Sequence, residues 1–199
     1  IEILDTFYQA EAQGSLDDVL KQLYGQIMKS GESRNARTPW TEKTSKAIIM
    51  GPHGSARKSN ESLYWAAKEG GDPKAAYELV APLVTKEGVD AIRAKLRDVT
   101  SAVVVPVVSE ERLGRNKIPR AYADILADRL GAQVAVDIVH INKVNRSGSD
   151  GFHRLAAQPE FDGAVEAGRE YIIVDDTLAQ GGTLASLKGY IEQKGGRVV

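Results

Sequence analysis

The chain of 199 residues contains no cysteine. Disulfides, thiolate metal sites and a cysteine nucleophile are therefore excluded, and the redox compartment is left open. A charge imbalance is lacking as well, since 26 Lys and Arg stand against 27 Asp and Glu for a net charge of -1. No global field draws such a chain toward nucleic acid or an anionic membrane, so any anion site has to be local. No apolar run has the length needed to span a bilayer, and the N-terminal stretch, with Glu2, Asp5 and Glu11, is acidic where a signal peptide is basic. These absences predict a cytoplasmic chain with neither nucleic-acid nor membrane partners. What is present is 42% hydrophobic sequence, enough for one ordinary core with a small appendage.

Ser15 is followed three residues later by Asp18, and Leu16, Val19, Leu20, Leu23 and Ile27 recur at helical spacing, which predicts an amphipathic helix ending near Gly31. From Glu32 to Lys46 the sequence is polar and aperiodic, a loop or tether. Residues 1–70 are read as a helical and loop extension or hood, and 71–199 as an α/β domain. The chain starts at Ile1 without methionine and stops at Val199 just where a strand is beginning. That pattern predicts further sequence beyond Val199 and a place in a larger polypeptide.

Asp72-Pro73 reads as a cap and first turn, with Ala76, Leu79, Val80, Leu83 and Val84 forming the apolar face of a helix that Pro82 ends or bends. A second helix is predicted over about 89–96. The β-branched run 102–108 then has the composition of a buried parallel strand. A helix over about 119–130, a strand over 133–139, a long polar loop, a strand over 171–174 and a helix over 184–194 follow. This alternation predicts an α/β, doubly wound, mostly parallel sheet whose ligands lie beyond the carboxyl ends of its strands. Residues 109–117, 140–162 and 175–183 then share one rim.

The most constrained of the three is YIIVDDTLAQGGTL, residues 171–184. A loop running from a strand end into a helix start presents backbone N–H groups at the positive end of a helix dipole, a phosphate cradle. Gly181 and Gly182 let that backbone come close to a phosphate, and Thr183 adds a hydroxyl. Asp175 and Asp176 are acceptors at its mouth, suited to sugar hydroxyls or the water shell of a magnesium ion. A plainer account, in which Asp176 caps a turn and the glycines serve a tight connection, competes with this one.

The string resembles the phosphoribosyl-pyrophosphate (PRPP) motif of type I phosphoribosyltransferases, through Ile172-Ile173-Val174-Asp175-Asp176 and Gly181-Gly182-Thr183. Gln180 stands where that family usually has threonine. The stretch Val105-Pro106-Val107 and the loop and helix after it are similar to the pyrophosphate-loop region of the family, in particular its competence-associated branch. The likeness covers about the second half of the chain. It implies a transferase that moves the phosphoribosyl group of PRPP, with Mg2+, to a nitrogen acceptor such as a nucleobase, releasing pyrophosphate. By the same resemblance, Thr177, Ala179, Gln180, Gly181, Gly182 and Thr183 hold the 5′-phosphate. Asp175 and Asp176 hold the ribose hydroxyls and the metal, directly or through water. Ser109, Glu110, Arg112, Arg115 and Lys117 take the pyrophosphate. Residues 142–158, with Arg146, His153 and Arg154, stand where the family carries its catalytic lid, and Asp175, Asp176 and Arg154 are the catalytic candidates. The family is commonly dimeric, so a homodimer is a further expectation. Two other readings accompany this one: a domain that binds PRPP or a nucleotide without turnover, as a sensor or module of a larger protein, and a nucleotide hydrolase on a similar sheet.

Met50 to Ser59, MGPHGSARKS, imitates a P-loop, but Ala56 occupies the place of the second glycine, and a surface loop is the reading. His53, His140 and His153 share no metal-ligand spacing, and no serine sits in a nucleophile elbow.

Overall fold

The computed structural model describes residues 38, 47–52, 54–108, 116–140, 160–177 and 181–199. The expected helix over 15–31, the tether that follows it apart from Thr38, and the lid at 142–158 lie outside the described residues.

A short helix, α1 (Ser55–Ser59), leads through Asn60 into α2 (Glu61–Lys68). Asn60 is extended, and its side chain accepts from the Leu63 N–H, which starts the second helix. The P-loop imitation is thus not a plain surface loop, since its second half is helical. Asp72 caps α3 (Pro73–Val80) through the Lys74 and Ala75 amides. Thr85 caps α4 (Lys86–Arg93) through Gly88. That cap starts α4 three residues before the expected helix. Ala67, Ala76, Leu79, Val80 and Val84 are buried in one cluster with Ile118, Ala123 and Leu126. Residues 55–68 therefore share the core of the α/β part. By contacts, residues 35–199 form one compact unit.

After a single turn of 3-10 helix (Val99–Ser101) come β1 (Val103–Pro106), α5 (Ile118–Leu130) and β2 (Gln133–Val134). They are followed by β3 (Val139–His140), β4 (Phe161–Asp162), β5 (Glu170–Val174), α6 (Gly182–Gln193) and β6 (Arg197–Val198). The main sheet has the order β2-β1-β5-β6, and every neighbouring pair is parallel. β3 and β4 form a separate antiparallel pair. The α/β class with a mostly parallel sheet is therefore as expected.

The single strand expected over 133–139 is two. Gln133 and Val134 pair with β1, the chain bends at Val136 and Asp137, and Val139 and His140 pair instead with β4. Val136 is 69% exposed, so the apolar run is not a buried strand throughout.

Side chains of the two central strands alternate between two cores. Val104, Ile172 and Val174 face the cluster containing α5, whereas Val103, Val105 and Tyr171 face that of Leu187, Tyr190 and Ile191 on α6. Both faces of the sheet are therefore covered by helices, which is why β1 and β5 read as nearly continuous apolar runs.

Candidate functional site

β1 continues through α5 to β2 on one side, while β5 continues through α6 to β6 on the other. The connections diverge between β1 and β5, which makes a crevice at the carboxyl ends of these strands. The register Val103↔Tyr171 to Pro106↔Val174 brings the two ends level, and the Val107 N–H donates to the Val174 carbonyl at 2.8 Å.

Asp175 and Asp176 leave β5 directly into this crevice. The Asp176 amide donates to Asp175 Oδ1 at 2.8 Å. Asp176 Oδ2 accepts from Lys68 Nζ of α2 at 2.9 Å and from Asn116 Nδ2 at 3.0 Å. The lysine and aspartate side chains are 22% and 12% exposed, so the ion pair is largely removed from water. Asn116 is fixed in turn, because its Oδ1 accepts from the Ile118 amide at the start of α5. Next to it the Lys117 N–H donates to the Ala67 carbonyl at 3.0 Å, fastening the end of α2 to the same corner.

Burial, followed by the negative charge of Asp176, pushes the Asp175 carboxyl up to about 7. At neutral pH this group is poised between its two forms. For Lys68, burial favours the neutral amine. The hydrogen bond and charge of Asp176, aided by Tyr64, outweigh it and raise the lysine above its usual range. The half-buried Tyr122 of α5 is also raised, by burial and then by the charge of Asp176.

Gly181 has φ 67° and precedes the first turn of α6. That left-handed geometry favours glycine, and no side chain caps the helix. Of the expected phosphate residues, Gly181, Gly182 and Thr183 thus occupy the helix start, and Thr177 lies exposed just past the acids. Ala179 and Gln180 lie outside the described residues, as do Ser109, Glu110, Arg112 and Arg115 of the expected pyrophosphate loop and Arg146, His153 and Arg154 of the lid. Lys117 stands at the N-cap of α5. Lys68 and Asn116 were not expected at the site.

An Escherichia coli protein named Protein TraN is 46% identical over 170 residues, which cover 85% of this chain and 37% of that protein. An uncharacterized protein of Haemophilus influenzae is 41% identical over 165 residues, 83% of this chain and 36% of its own length. The chain thus spans little more than a third of the curated relatives it matches. No family model and no solved structure matches it.

These findings overturn the phosphoribosyltransferase function and the transferase and nucleotide-metabolism vocabulary that went with it. A relative sharing nearly half the residues across most of the chain is named Protein TraN, not a phosphoribosyltransferase. The physical reason is that a strand, an acid pair and a glycine turn are at most compatible with a place for an oxyanion beside acceptors. They do not specify a reaction. The transferase reading also left out the cation that the fold sets on Asp176, which comes from α2, outside the resemblance.

Among the described residues, no helix is long and apolar enough to cross a membrane.

Proposed function

We propose that this part of the protein is a binding module for a phosphate ester bearing neighbouring hydroxyls, held in the crevice between β1 and β5. The observation that carries the reading is the Asp175–Asp176 pair, held by Lys68 and Asn116 at the point where the strand connections diverge. Asp175, whose Oδ1 accepts from the Asp176 amide, retains acceptor capacity for a hydroxyl. The start of α6 behind Gly181 offers amides of the right polarity for the phosphate.

Magnesium belongs to this reading as a companion of the phosphate. Among the described residues no three carboxylate or imidazole groups converge, and Asp176 Oδ2 already has two donors. The donor set therefore suits a hydrated ion that takes its inner ligands from water and phosphate oxygens. The architecture is read as akin to the type I phosphoribosyltransferase sheet, without that family's reaction. The module is placed in the cytoplasm, as one part of a longer protein.

Isothermal titration with ribose 5-phosphate, with and without magnesium, tests the reading. The intact protein should bind, and Asp175→Asn combined with Asp176→Asn should remove binding while the circular dichroism spectrum is unchanged. Equal binding by the double variant would sink the assignment.

A further inference from the structure

Helix α2 does more than deliver Lys68 to the crevice. Trp65 is 43% exposed, yet it is held in place from several sides. Its indole Nε1 donates to Glu61 Oε1 at 3.3 Å, and the Arg57 guanidinium lies over its ring at 5.1 Å from the centroid. Arg57 Nε donates to the same Glu61 oxygen at 2.8 Å, so one carboxylate fixes both the ring and the cation. Tyr64 meets Trp65 edge to face, with centroids 5.1 Å apart and planes at 77°. On its other flank, Lys68 Nζ lies 5.3 Å from the Tyr64 ring centroid and 2.9 Å from Asp176. The result is a continuous ladder, Arg57, Trp65, Tyr64, Lys68, Asp176, in which two aromatic rings stand between two cations and lead to the acid pair.

We propose that Trp65, Tyr64 and Arg57 form a stacking subsite for the planar ring of a nucleoside phosphate whose sugar and phosphate lie in the crevice. The inference rests on the binding reading above and names the class of its ligand. An isolated exposed tryptophan on a helix needs no explanation. One whose orientation is fixed by a carboxylate and a guanidinium, one aromatic step from a buried lysine–carboxylate pair, is a preorganised platform. Every base has a π-face, so stacking on an aromatic ring and an adjacent guanidinium adds affinity with little demand on base identity. A ligand with phosphate alone gains nothing from such a platform.

The sequence contains two tryptophans, Trp40 and Trp65, so Trp40→Phe leaves Trp65 as the one indole reporter. Titrating that protein with AMP and with ribose 5-phosphate, both with magnesium, should show AMP quenching the Trp65 emission. AMP should bind roughly tenfold more tightly, the scale of one stacked base. In a calorimetric titration of Trp65→Ala, that advantage should vanish while ribose 5-phosphate binds as before. Equal affinity for the two ligands, or an AMP advantage that survives Trp65→Ala, overturns the subsite and leaves the crevice standing. AMP quenching that survives Asp175→Asn with Asp176→Asn does the reverse. Affinity that climbs with the length of a single-stranded oligonucleotide would replace the nucleoside phosphate by a nucleic-acid strand and also overturn the proposal.

Discussion

Lys68 and Asp176 are 108 residues apart in the chain and 2.9 Å apart in the fold. The pair joins the helical segment before the sheet to the end of its central strand. Removing the cation by Lys68→Met leaves the Asp176 carboxylate largely out of water with Asn116 as its remaining side-chain donor among the described residues. The expected loss is about 1–3 kcal/mol of unfolding free energy, below the full cost of breaking a deeply buried pair because both groups keep some solvent contact. Urea denaturation at pH 7 measures it. The double variant Lys68→Met with Asp176→Asn should recover part of the loss.

Asp175 gives stability a pH dependence of definite sign. Its carboxyl is raised to about 7 in the folded state from an ordinary value of 3.8, so the folded protein holds a proton that the unfolded chain has released. The contribution is fully present below about pH 4 and is lost as pH rises toward 7. Asp175→Asn keeps an oxygen acceptor for the Asp176 amide and cannot ionise. Relative to the natural chain it should be near neutral at pH 4 and more stable at pH 8, by on the order of 1–2 kcal/mol. Unfolding midpoints across that range check this, and a gain on the acid side instead would refute the assigned shift.

Gly163 sits where the chain after β4 touches the bend after β2. At φ 132° a side chain is already strained, and a Cβ there would come within 2.3 Å of the Asp137 carbonyl oxygen. The Gly163 carbonyl accepts from Tyr190 Oη at 2.7 Å, so the backbone is not free to retreat. Gly163→Ala should cost about 2–4 kcal/mol, as backbone strain and overpacking together. Thermal unfolding reads it, and Tyr190→Phe alone should cost about 1 kcal/mol.

Asp72 caps α3 through the Lys74 amide at 2.8 Å and the Ala75 amide at 3.2 Å. Asp72→Ala should destabilise by about 1 kcal/mol, and Asp72→Ser by less, because serine restores an acceptor to the same amides. Chemical denaturation of the two variants side by side gives the comparison.

The parts of the fold that could be read from sequence are those whose signals are local. Asp72-Pro73 announced α3, and the apolar runs of β1 and β5 announced buried parallel strands. The Asp-Asp and Gly-Gly punctuation marked where β5 ends and α6 begins, two residues ahead of the expected helix start. The stretch 133–139 misled because valine and isoleucine have the same composition whether or not they share one ladder. Only the turn at Val136 and Asp137 separates the two pairings. Helix α2 has a legible start in Asn60 and an inward face in Leu63, Tyr64 and Ala67, although its residues fall within the stretch 1–70 that reads as an N-terminal extension. Lys68 at the acid pair had no local signal at all. A contact across 108 residues is decided by packing of α2 on α3 and of α3 on α5, which periodicity does not report.

Alternation along β5 reaches beyond its packing. Ile172 and Val174 face the helical layer that contains α2, and Tyr171 faces the opposite layer. Two residues past Val174, Asp176 falls on the α2 side and meets Lys68, while Asp175 falls between and keeps its proton to about pH 7. Odd and even numbering thus decides which of two chemically identical acids is neutralised by a lysine and which by a proton. Inserting one residue at the end of β5 would shift both acids by one position and take Asp176 out of register with Lys68.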